Sequence, residues 1–207
     1  MSESIFESFE AYLKEADYPK GKKKIMQAAV DLISTKSYNG TSTLQIAKHA
    51  GLSQATLFKY FKTKEDLLTA ILHPIVPGLF GRFFEELLAF NTTEEKVHYL
   101  VHNRMAYLKK NRALMKIILQ EIFSNKKLRK EQLYIWNTLQ DKLLRLHKEL
   151  IKDSRVNPEL TIPQMVRLCV GPLLGYFAQL YIVGDKGDIR EEDLDLLEKQ
   201  ILGGLWK

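Results

Sequence analysis

Apolar residues recur three and four positions apart along nearly the whole chain, and no stretch alternates with a period of two. That spacing builds helices with one apolar stripe each and supplies no strand with two distinct faces. A first stripe, Ile5, Phe6, Phe9, Tyr12 and Leu13, stops at Pro19 and Gly21. A second, Ile25, Ala28, Ala29, Leu32 and Ile33, ends near Lys36 and is followed by Ser37-Tyr-Asn-Gly40, a turn signal because Asn and Gly tolerate positive φ. Thr41, Ser42 and Thr43 offer caps for a helix carrying Leu44, Ile46, Ala47 and Ala50. Gly51 ends that helix, and Ser53 caps the next, Gln54 to Phe61. Thr63, with Asp66 three residues on, resembles a capping box opening a helix at Lys64.

From His73-Pro74 the helices lengthen: 79–90, 93–110, 113–124, 126–152, 162–183 and 191–206 all carry helical spacing. The expected fold is all-α, in three parts. Residues 1–20 form an amphipathic extension, 21–72 a three-helix helix-turn-helix domain, and 73–207 a larger helical bundle. The single cysteine, Cys169, has no partner for an intramolecular disulfide and sits in an apolar stretch, as a small core residue would. The acidic, charge-broken N-terminus lacks the apolar run of a secretory signal, which predicts a cytoplasmic protein. Ile162 to Val183 has the length of a bilayer span, but Gln164, Arg167 and Gln179 interrupt it and Pro163 and Pro172 lie within it. It reads as a buried helix of a bundle, with no membrane partner.

The net charge is +6, and its distribution says more than its sum. Between Gly21 and Lys64 there are eight lysines (22, 23, 24, 36, 48, 59, 62 and 64) and one acid, Asp31. A segment so short of carboxylates suits a polyanion, although a solvated face has the same composition. Within it lies a helix of about two turns, then a glycine that permits a sharp reversal, then Leu52 to fill the angle, then a second short helix. Leu57 and Phe61 are four apart and point inward, which leaves Gln54, Ala55, Lys59 and Tyr60 nearer the outer face.

This segment resembles the TetR/AcrR family of bacterial repressors. The resemblance rests on I-x-x-A-A-x-x-L-I (Ile25 to Ile33), the turn Tyr38-Asn-Gly40, and T-x-x-I-A-x-x-A-G-L-S (Thr43 to Ser53). It continues through T-L-F-x-Y-F (Thr56 to Phe61) and K-x-x-L-L (Lys64 to Leu68). It implies a dimer that binds double-stranded, palindromic operator DNA as a repressor and is released by a small hydrophobic or aromatic effector. The alternative is a nucleoid or division factor of the same fold without an effector. By resemblance, Thr43, Tyr60 and Lys64 hold phosphates, and Gln45, Gln54, Ala55 and Lys59 meet base edges, with Ser53 at the head of the second helix among the contacts. Ile46, Leu57, Phe58 and Phe61 look like core, and Phe58 departs from the tyrosine often found there. Lys22 to Lys24 either touch neighbouring phosphates or are solvated.

The remainder shows no glycine-rich phosphate loop, no nucleophile elbow and no Cys/His metal spacing, so neither catalysis nor a cofactor is expected. Phe84, Tyr99, Met105, Met115, Phe123, Trp136, Tyr176 and Phe177 are candidates to line an effector pocket, although such stripes equally build ordinary core. Gly171 and Gly175, flanking Pro172, suggest a kink and a close helix contact. By resemblance, the last two helices pair across a two-fold axis. His98 and His102, four apart, could bring two metal ligands together. No cysteine or carboxylate cluster accompanies them in sequence, so no metal is assigned.

Overall fold

The computed structural model describes residues 9–73, 80, 82–121, 139–184 and 187–207. Eleven helices lie in them: α1 (Phe9–Glu15), α2 (Lys20–Lys36), α3 (Thr43–His49), α4 (Gln54–Tyr60), α5 (Lys64–Leu72), α6 (Phe83–Ala89), α7 (Thr93–Lys110), α8 (Arg112–Glu121), α9 (139–150), α10 (Ile162–Ala178) and α11 (Glu191–Leu205). Among the described residues there is no strand, only an isolated antiparallel bridge between Val156 and Trp206.

The chain forms two compact units. The first is built on α1 to α5 together with α8, which returns after α7 to pack against α2. Division of the sequence at residue 73 does not include this returning helix. Ile25, Met26, Ala29, Ile33, Ile46, Leu57, Leu67, Leu68 and Ile71 fill this unit's core at no more than 1% exposure, with Ile117 from α8 among them in burial. α1 is tied in at its start, where the Phe9 N–H donates to the Asn111 side-chain oxygen at 3.2 Å.

The turn after α2 differs in detail from its sequence reading. The left-handed residue is Ser37, at φ +68°, rather than Asn39 or Gly40. Gly40 is required for space instead: a Cβ there would stand 2.2 Å from the Lys36 carbonyl oxygen. The buried Thr41 hydroxyl donates to the Ser37 carbonyl at 2.8 Å and closes the turn.

The second unit comprises α6, α7, α9, α10 and α11. Val97, Val101, Met105, Met165, Phe177, Leu197 and Ile201 are buried in it. The loop after α9 is stitched to the C-terminus: the Asn157 N–H donates to the Leu205 carbonyl at 2.9 Å, and that of Lys207 to Arg155 at 3.0 Å. Arg155 also bonds both Glu94 oxygens and Asp153, fixing this loop to the start of α7.

α10 corrects one expectation. It is not buried on all sides: Met165, Cys169, Leu173 and Phe177 turn inward, while Val170 and Gly171 are exposed. A one-turn π-helical segment, Gln179–Val183, continues it and leaves Val183 84% exposed. The close contact expected at Gly171 and Gly175 is also missing, because a Cβ at either would meet nothing within 4 Å. The tight approach of α10 to α11 comes elsewhere, at Gly204, where a Cβ would lie 2.8 Å from a Leu168 methyl.

Candidate nucleic-acid interface

Three adjacent hydroxyl residues, Thr41 to Thr43, stand where α3 begins, and Ser42 is the one that caps it. Its Oγ accepts the Gln45 N–H at 3.2 Å, while Gln45 Oε1 accepts the Ser42 N–H at 2.8 Å. This reciprocal pair satisfies two donors that the helix start leaves open. Thr43 is thereby placed as the first residue of α3, half-buried, with its hydroxyl free to serve another helix. Gln54 takes it: Nε2 of Gln54 donates to Thr43 Oγ1 at 2.9 Å, joining the starts of α3 and α4.

The reversal between these helices is a Schellman turn. Gly51 adopts φ +69°, its N–H donates to the Lys48 carbonyl at 3.1 Å, and the Leu52 N–H reaches the Ala47 carbonyl at 2.9 Å. Ala47 and Ile46 are fully buried, and α3 and α4 pack on each other and on α2. Ser53 then caps α4 by accepting the Thr56 N–H at 3.1 Å.

α4 buries Leu57 completely and presents Ala55, Phe58 and Lys59 outward. Ala55 and Lys59 are four apart and share a face, as expected from sequence. Phe58 corrects its core assignment: it is 44% exposed. Leu44, at the start of α3, is 58% exposed and was missed as an outward residue, because residue type alone does not separate an exposed leucine from a core one. Gln45 and Ser53 are exposed with their oxygens engaged in the caps, and Gln54 is half-buried.

Tyr60 lies against the start of α2, where a Cβ on Gly21 would stand 3.1 Å from its hydroxyl oxygen. The glycine therefore makes room for the ring. Lys64 is held inward: its ammonium donates to the Tyr38 carbonyl and sits 4.0 Å from that residue's ring centroid. Burial lowers the Lys64 pKa, with nearby Glu121 opposing the shift, and burial together with Glu65, Glu121 and Asp66 pushes the Tyr38 phenol up to about 12. Burial likewise raises the carboxyl pKa of Glu121, against the pull of Lys64.

Two of the three clustered lysines are engaged with the N-terminal segment. Lys22 lies 3.7 Å from the Tyr18 ring centroid, and Lys23 donates to the Lys14 carbonyl at 3.1 Å. Lys24, Lys36, Lys48, Lys59 and Lys62 are exposed. Asp31, the single acid of this stretch, lies 3.7 Å from His49. The outer surface of α3 and α4 thus combines cations, amide groups and two exposed apolar side chains.

In the second unit, a groove of about 300 Å³ is lined by Phe84, Glu85, Leu88, Ala89, Lys142 and Arg145. Of the candidate pocket residues, Phe84 alone belongs to this lining. Tyr99 stacks on Phe83 with centroids 5.7 Å apart, Met105 and Phe177 are fully buried, and the Tyr176 hydroxyl donates to Asp193 at 2.7 Å. Met115 is buried in the first unit, and Phe123 and Trp136 lie outside the described residues.

A short helix standing outward from a lysine-rich head, behind a Schellman turn, defines a helix-turn-helix protein of the DNA-binding class. Residues 25–71 match the family described as bacterial regulatory proteins, tetR family. The fatty acid metabolism regulator protein of Bacillus subtilis (strain 168) is 29% identical over 85 residues, which is 41% of this chain. The match spans only 44% of that relative's length. The nucleoid occlusion factor SlmA of Vibrio campbellii is 22% identical over 157 residues, covering 74% of this chain and 78% of its own. In fold, the chain is similar to the transcriptional regulator FadR of Bacillus subtilis, solved in complex with stearoyl-CoA. That likeness has a TM-score of 0.67 at 24% identity over 87% of this chain and 95% of that one.

Proposed function

We propose that this protein is a cytoplasmic, homodimeric transcriptional repressor that reads a palindromic operator with α4 and is released by a small apolar effector. The observation that carries the reading is the division of α4: Leu57 is fully buried while Ala55, Phe58 and Lys59 face outward, within a stretch, residues 21–64, that holds a single carboxylate. Lys59 can reach a guanine edge, Gln54 an adenine, and Ala55 with the exposed rings and methyls of Phe58 and Leu44 a thymine methyl. By resemblance Thr43, in the first turn of α3, holds a phosphate, as do Tyr60 and Lys64, while Gln45 meets a base edge and Ser53 stands among the contacts. In this role Lys64 exchanges its Tyr38 carbonyl for a phosphate oxygen. The role is one of binding and not of catalysis.

One reading helix gives little discrimination, and two about 34 Å apart engage both halves of a palindrome. The exposed apolar and glycine face of α10, with Leu196 of α11 at 53% exposure, supports pairing with a second copy. The effector would bind a conformer with the wrong spacing between heads, so operator affinity falls by population shift. The groove, lined by Phe84, Leu88 and Ala89 with two cations, Lys142 and Arg145, against one acid, Glu85, suits an apolar body carrying an anionic group. Similarity to a fatty acid metabolism regulator makes a long-chain acyl thioester the first compound to try.

Similarity to the nucleoid occlusion factor over 74% of the chain favours a second reading, in which the same head marks many chromosomal sites without an effector. Capture of genomic fragments on the purified protein, followed by sequencing, separates the two. Enrichment of one or a few palindromes upstream of genes, lost on adding acyl thioester, is the expected result. Enrichment spread over many dispersed sites, unaffected by such compounds, favours the second reading, and no enrichment at all refutes both.

A further inference from the structure

The second unit holds a side-chain cluster that DNA reading does not use. His98 and His102 lie four apart on α7, on one face and one turn from each other. Their rings are 4.1 Å apart between centroids, tilted by 37°. Glu198 meets them from α11: its Oε1 lies 2.8 Å from Nδ1 of His98 and 3.2 Å from Nε2 of His102. All three ligand atoms fall within 4.8 Å of one another. Around a tetrahedral ion with arms of about 2.0–2.1 Å, neighbouring ligand atoms stand about 3.4 Å apart. Glu198 Oε1 is thus already close to that spacing from both rings.

A plain ion pair would need one imidazole, whereas here both converge on a single carboxylate oxygen. Two imidazoles and a carboxylate are the donor set that zinc and its neighbours take when a fourth position stays open. Accessibility is graded in the same sense: the Glu198 side chain is 19% exposed, His102 32% and His98 62%. The carboxylate is therefore set deep, and the open side faces solvent, where water can complete the coordination.

We propose that His98, His102 and Glu198 form a three-ligand site for one divalent transition-metal ion of the zinc type, bridging α7 and α11. The proposal does not depend on the nature of the effector or the operator. An ion held there joins residues 100 positions apart in sequence and stabilises the folded second unit by mass action.

The test uses the full-length protein freed of metal by dialysis against a chelator. Zinc is titrated by calorimetry and cobalt(II) by visible absorption. The expected result is one ion per chain with a Kd on the order of 10 μM or tighter, absorption bands of four-coordinate cobalt, and a thermal midpoint that rises with zinc. His102→Ala and Glu198→Gln should each weaken binding by about tenfold or more. His147→Ala, which removes a ring bonded to the Leu160 carbonyl, should leave it unchanged. Circular dichroism of each variant checks that these part-exposed substitutions keep the fold. No saturable binding below about 1 mM zinc overturns the proposal. So does binding that survives the His98→Ala/His102→Ala double change, or full affinity in Glu198→Gln.

Discussion

Replacing Gly51 by alanine isolates the conformational cost of the turn that delivers α4. The residue sits at φ +69°, and a Cβ there would meet nothing within 4 Å. Neighbouring atoms add nothing, so the cost is the backbone strain of an L-residue in the left-handed region, about 1–2 kcal/mol. Loss of freedom in the unfolded chain returns about 0.4–1 kcal/mol. The net destabilisation is therefore about 1 kcal/mol. With a urea dependence of about 2 kcal/mol per molar, the unfolding midpoint falls by about 0.5 M. Gly51→Asn should fall between alanine and wild type, since a short polar side chain tolerates this conformation. The assay is urea unfolding by circular dichroism at one fixed protein concentration, because association shifts the midpoint. Gly40→Ala supplies a contrast: there the added carbon meets a backbone oxygen at 2.2 Å, and the loss should exceed that at Gly51. An alanine midpoint at Gly51 equal to or above wild type would refute the reasoning.

Three further outcomes follow from the second unit. Hydrogen bonds from the Arg155 side chain and N–H, then from Thr93, hold the Asp153 carboxyl well below the usual carboxylate range. Its stabilisation is thus fully present above the unfolded value, about pH 4, and is lost as pH falls through the folded one. Arg155→Ala should lower the thermal midpoint equally from pH 7 down to about pH 4 and by less in stronger acid; a deficit already shrinking between pH 7 and 5 contradicts this. Burial pushes the Cys169 thiol up to about 12, so a thiol reagent at pH 8 should leave the native protein unmodified and label it only in urea. Val170→Glu, on the exposed face of α10, should convert the proposed dimer to a monomer in sedimentation with its helical content unchanged. A dimer that persists removes that face from the interface.

The local chemistry of the helix-turn-helix was legible in sequence because each signal acts within four residues. Gly51 as the reversal, Ser53 as a cap, the Thr63–Asp66 box and the inward pair Leu57 and Phe61 needed no long-range information. Ser42 is distinguished from Thr41 and Thr43 by Gln45 three residues on, a cue the hydroxyls alone do not carry. What stayed hidden depends on contacts far along the chain. Lys64 turns to Tyr38, 26 residues away, and so departs from the free cation suggested by its motif position. α8 packs back on α2, and Glu198 arrives at the histidine pair from another helix. Phe58 and the glycines of α10 were misplaced for a related reason: an apolar or small residue looks the same in sequence whether it meets its own core or open space.

The central claim is that α4 reads base edges through its outer face, and Lys59 tests it most directly. Fluorescence anisotropy compares wild type and Lys59→Ala on the operator recovered by fragment capture and on an unrelated duplex, over a salt series. Loss of a base contact worth about 1–3 kcal/mol predicts operator affinity down by about 5- to 150-fold, with the unrelated duplex changing far less. Operator affinity within about twofold of wild type, below the cost of any such contact, would contradict the account.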